Sequence, residues 1–96
     1  MTDGSIIKEI DKLLIYLEQP LTPDEQKCGW DEKSQRSIME YFKRIKDDFL
    51  NRRIPGRALV MYVLDGSWGI YEGERVHKCC VVGEMVNDWL KERGLF

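Results

Sequence analysis

Seven consecutive apolar residues, 58–64 within the stretch RALVMYVLDGSWGIY, constrain this chain more than any other feature. Each large apolar side chain left in water forgoes about 1.5–3 kcal/mol of burial, so such a run must be covered on nearly all sides. No other segment is so unbroken, and the remaining segments must supply the cover. A chain of 96 residues makes one domain with one core. The run is far shorter than the about 20 residues a membrane span requires. The start MTDGSIIKEIDK has charges within its apolar stretch and no basic opening, unlike a secretory signal peptide.

Residues 6–18 carry the clearest helical period. At 100° per residue, Ile6, Ile7, Ile10, Leu13, Leu14 and Leu17 fall in one arc of about 120°. Asp3 or Ser5 is expected to cap the start, and Pro20 to end the helix. Ile15 points almost opposite the apolar stripe and is expected on the surface. Thr22-Pro23-Asp24-Glu25 spells a capped helix start with a capping box, broken at Gly29. Asp31 or Ser34 restarts the chain into a long helix over 31–52. Its seam is Ile38, Phe42, Ile45 and Phe49 at spacings of four, three and four. Tyr41 widens the seam on one side, Met39 and Leu50 on the other. Arg36, Lys43, Lys46 and Arg53 share that second flank, and Pro55-Gly56 turns the chain.

The segment after Arg57 admits a short buried helix over 57–64, or two strands joined at Asp65-Gly66. Residues 74–93 help to decide. With Val76 set at zero, Cys79, Val82, Met85, Val86, Trp89 and Leu90 occupy about 180–320°. That pattern is a helix, ended by Gly94, and it leaves no third strand to support a hairpin. The expected fold is an all-α single domain, a bundle of about four helices with a glycine-rich corner at 66–73. The alternative is an α+β domain with a small β-hairpin at 59–71.

Little in the sequence carries chemistry. His77, Cys79 and Cys80, with Cys28 elsewhere, are the only cluster of metal or thiol character, and their spacing is not that of a zinc finger or ribbon. No third group orients His77 toward a cysteine nucleophile. The adjacent acids at 24–25, 31–32 and 47–48 diverge by about 100° on a helix, which does not suit paired acid–base work. Gly66, Gly69 and Gly73 match neither a dinucleotide fingerprint nor a phosphate loop. The sequence therefore points to no catalytic activity and no cofactor.

Charge is uneven along the chain. Residues 1–33 carry eight acids and four bases, residues 34–57 seven bases and three acids, and the whole chain is near −2. The three cysteines suit a reduced, cytoplasmic protein. The expected role is a small protein–protein interaction or regulatory module, an adaptor, inhibitor, immunity-type factor or self-associating subunit, with no membrane partner. Its expected partner residues are Trp30, Arg36, Met39, Lys43, Lys46, Leu50, Arg52, Arg53 and Arg57. Ile15, Val81 and Trp30 are the expected exposed apolar residues. The alternatives are nucleic-acid binding through phosphate contacts at Arg52, Arg53 and Arg57, and a metal or thiol site at His77, Cys79 and Cys80. The segment 58–64 has no polar side chain beyond a tyrosine and cannot act as a helix that reads base edges.

Overall fold

The first helix, α1 (Asp3–Leu17), is capped one residue before Asp3 and three before Ser5, the two expected caps. Thr2 is the N-cap: its Oγ1 accepts the Ser5 N–H at 3.2 Å. Starting there satisfies an orphan donor with a threonine hydroxyl, and Asp3 becomes the first helical residue. The helix stops at Leu17, ahead of Pro20. These observations come from a computed structural model that describes residues 2–55 and 73–94. The expected helix or hairpin over 57–71, and the glycine-rich corner as far as residue 72, lie outside the described residues.

Helix α2 (Pro23–Lys27) has the capping box its sequence spells. Thr22 Oγ1 accepts the Glu25 N–H at 3.2 Å, and Glu25 Oε1 accepts the Thr22 N–H at 2.9 Å. Gly29, at φ 107°, turns the chain where a side chain would be strained. Asp31 then caps α3 (Glu32–Leu50), accepting the Ser34 N–H at 2.7 Å. Helix α4 (Glu74–Glu92) follows Gly73 and ends before Gly94, at φ 69°. The described residues contain four helices and no strand, so the fold is all-α.

Helix α1 lies between α3 and α4 and packs on both. It runs antiparallel to each, since its C-terminal carbonyls meet Gln35 and Arg75, early in α3 and α4. The stripe Ile6, Ile10, Leu13 and Leu17 faces Ile38, Phe42, Ile45 and Phe49 on α3, and Cys79, Val82, Val86, Trp89 and Leu90 on α4; all are buried. Phe49 and Trp89 close the far end edge to face, with centroids 4.9 Å apart.

The end of α3 is a Schellman turn without a glycine. Arg53 N–H donates to Asp48 O at 2.7 Å and Arg52 N–H to Phe49 O at 3.2 Å. Arg52 therefore sits at φ 56°, in left-handed space. That conformation costs a side-chain-bearing residue about 1–2 kcal/mol. Glycine returns part of the gain as extra freedom of the unfolded chain. Arg52→Gly is expected to raise stability by about 0.5–1 kcal/mol, read as a shift of the denaturant midpoint at constant slope. A lowered midpoint means the arginine side chain offsets its own strain.

Candidate functional site

Arg75 is the one charged residue buried among the described residues, with 2% of its surface exposed. Its two terminal nitrogens gather the carbonyls at the end of α1. Nη1 donates to Leu17 O at 3.0 Å, and Nη2 to Gln19 O at 2.8 Å and Pro20 O at 3.1 Å. Nε pairs with the Glu25 carboxylate on α2. The guanidinium also lies 5.4 Å from the Tyr16 ring centroid and 5.9 Å from that of Trp30. From α3, Gln35 Nε2 donates to the Leu17 and Gln19 carbonyls. Arg75 thus caps one helix from another and pins α2 beneath it, which is a structural task. The sequence held a signal for it: position 75 falls at about 260° on the α4 wheel, inside the apolar arc.

The expected partner residues do not form one patch. Trp30 is a correction, since it is 2% exposed and not a surface anchor. The Gly29 turn folds its indole into the core beside the Arg75 guanidinium. Lys46 binds Asp11 on α1, which ties it to the α1–α3 seam. Arg36, Met39 and Lys43 do share a groove, but Glu18, Glu32 and Glu40 line it too, so it has no uniform positive field. Arg57 lies outside the described residues. Ile15 and Val81 are exposed, as expected.

Arg52 and Arg53 do come together, past the end of α3, while Leu50 stands exposed as the last residue of that helix and does not line their hollow. Ile54 joins the two arginines, a residue with no signal in the helical period of α3. Leu50 is 56% exposed and Ile54 57%. A hollow of about 260 Å³ lies between Arg52, Arg53 and Ile54, and the Phe49–Trp89 pair lines it. From α4, the Arg93 guanidinium stacks 3.9 Å from the Trp89 ring centroid, and its Nη1 donates to Trp89 O at 3.3 Å. Two aromatic rings, two exposed aliphatic side chains and three arginines therefore gather at this end of the molecule.

A second concavity, of about 360 Å³, runs between α1 and α4. Leu13, Val82 and Met85 floor it and Val81 edges it. Lys12, His77 and Lys78 stand along it with Glu9 and Tyr16. Lys78 Nζ lies 4.4 Å from the centroid of the Tyr16 ring. Burial, helped by the nearby Glu74 carboxylate, raises the pKa of the Tyr16 hydroxyl above its ordinary value.

The metal and thiol alternative is dispersed by the α4 geometry. Cys79 is buried, Cys80 half-buried, and His77 and Cys28 exposed. No group of three or more His, Cys, Asp or Glu among the described residues is placed to hold a metal ion. Desolvation pushes the Cys79 thiol up to about 12. Burial, then Glu84, raises that of Cys80. Neither thiol is disposed to act as a thiolate. With iodoacetamide at neutral pH, Cys28 is expected to react first and Cys79 only after unfolding. Mass-spectrometric mapping of the labelled peptides reads that order.

Compared with protein-family models, with curated proteins and with solved structures, the chain matches none.

Proposed function

We propose that this protein is a non-catalytic interaction module that binds another protein through the end of α3. The observation that carries this reading is the company Leu50 and Ile54 keep. Among the described residues, the exposed large hydrophobics are Ile15, Leu50, Ile54 and Val81. Two of the four flank Arg52 and Arg53 within five residues. Arginine is enriched at protein interfaces, and here it stands beside exposed apolar side chains over the buried Phe49–Trp89 pair. Arg52 supports the reading further, because strain at an exposed position persists where something other than folding benefits from the side chain.

Nucleic acid is the weaker occupant of the same surface. Asp47 and Asp48 stand in the same turn, and Asp48 holds Arg53 Nε at 3.3 Å. A phosphate backbone would meet those acids, and its attraction would be reduced accordingly. The proposed setting is the cytoplasm, which suits three free thiols. Among the described residues no helix is long and apolar enough to cross a membrane.

The test is a comparison of the wild-type chain with the double variant Leu50→Asp, Arg52→Glu. Both positions are exposed, so the melting temperature is expected to hold. The wild type is expected either to self-associate by solution mass or to retain a defined protein on affinity capture. The double variant is expected to lose that association. A wild type that stays monomeric and retains nothing the double variant lacks would end the proposal. Retention of nucleic acid that fades steeply with salt would replace it.

A further inference from the structure

We propose that the groove between α1 and α4 binds a small anionic amphiphile, of the class of medium-chain fatty acid carboxylates. The site is separate from the surface at the end of α3 and does not depend on it. Its floor is apolar: Leu13 and Val82 are buried, Met85 is half-buried, and Val81 is 37% exposed at the edge. Methionine there offers an adaptable surface to an alkyl chain. The volume of about 360 Å³ lies within the range of small-molecule sites, about 300–1,000 Å³.

Charge selects the headgroup. Lys12, His77 and Lys78 line the groove against a single acid, Glu9. The Lys78 ammonium stands over the Tyr16 ring at 4.4 Å, so it is held against the groove wall. Its ion-pair partner, Glu74, is 3.7 Å away with 73% of its side chain exposed. Such a pair is worth little in water, and a ligand carboxylate that also buries its alkyl chain can replace Glu74. Lys12 is paired with Glu9 at 3.5 Å in the same loose way. The floor spans two helical turns, Glu9 to Tyr16 on α1 and His77 to Met85 on α4, which is about 11–12 Å at 1.5 Å per residue. That length suits a medium-length alkyl chain laid along the groove, with its carboxylate at the Lys78 end.

The probe is monomeric decanoate, titrated calorimetrically at low ionic strength. Saturable one-to-one binding is expected, with amide NMR shifts confined to residues 9–16 and 77–85. Lys78→Glu and Val81→Asp are each expected to weaken it about tenfold, with helical circular dichroism and melting unchanged. Lys78→Gln, which adds no repulsion with Glu74, serves should Lys78→Glu melt early, and it too is expected to weaken binding. Decyltrimethylammonium, with the same chain and the opposite charge, is expected to bind at least about tenfold more weakly. Decanoate that fails to saturate the folded wild type overturns the proposal. So does equal binding by the folded variants, or by the cationic probe. An acidic amphipathic peptide that occupies the groove where decanoate does not would also overturn it, and would make the site a second protein contact.

Discussion

Arg75→Met is expected to destabilise the fold by about 3–5 kcal/mol, a large share of the 5–15 kcal/mol typical of a small domain. Methionine keeps the apolar stem and removes every donor. The Pro20 carbonyl then loses its hydrogen bond to Nη2, and the Glu25 carboxylate loses its partner. Leu17 and Gln19 keep the Gln35 amide, which places the cost at the lower end of the range. Arg75→Lys is expected to recover little, because an ammonium cannot spread donors over three carbonyls and a carboxylate at once. Denaturant midpoints read both effects. A loss under about 1 kcal/mol for Arg75→Met would show that the buried guanidinium stabilises little beyond its own desolvation.

The same contact gives folding a pH dependence. Burial alone would raise the Glu25 pKa, but the Thr22 backbone N–H, the Arg75 guanidinium and the Thr22 side chain together hold it below its ordinary value. A carboxyl whose folded pKa is depressed stabilises above its unfolded pKa, and that stability is lost as pH falls through the folded value. The loss is thus expected below about pH 4.3, the ordinary glutamate value. Asp31, held low by the Ser34 N–H, acts in the same sense. Glu25→Gln keeps the capping box and removes the titration. It is expected to flatten the acid limb of stability against pH without abolishing it, because Asp31 remains.

What the sequence made legible is what periodicity encodes. The α1 stripe, the α3 seam and the α4 arc turned inward as their spacing required, save Met85, which lines the α1–α4 groove, and Ile15 stayed outside. The capping box and the Gly29 break were equally readable, because a cap is a local hydrogen-bond problem solved within four residues. Contacts between distant segments were not. Arg75 binds carbonyls 55 to 58 residues away, and no local pattern reports a helix end that needs donors. An arginine inside an apolar arc is the trace such a contact leaves. Trp30 was misplaced for the same reason, since its burial depends on the guanidinium and on the turn that brings it there. On the surface side, the α3 flank was readable as basic, but not the acids that α1 and the first turn of α3 lay beside it. Nor could Lys46 be seen to reach Asp11.

Phe42→Ala is expected to cost about 3–5 kcal/mol, while Leu50→Ala on the same helix is expected to cost under about 0.5 kcal/mol. Phe42 is fully buried, and its removal leaves a void that neighbours on two helices would have to move to fill. Leu50 is more than half exposed, so truncation forgoes little burial and opens no cavity. Thermal and denaturant melts of the two variants give the contrast directly. Its value lies in separating the two uses of an apolar side chain. If Leu50→Ala melts with the wild type, the aliphatic group at the end of α3 does not serve the fold, which is the outcome the proposed partner surface requires. If Leu50→Ala costs as much as a core truncation, Leu50 packs on the chain's own residues, and the surface proposed for a partner loses its first anchor.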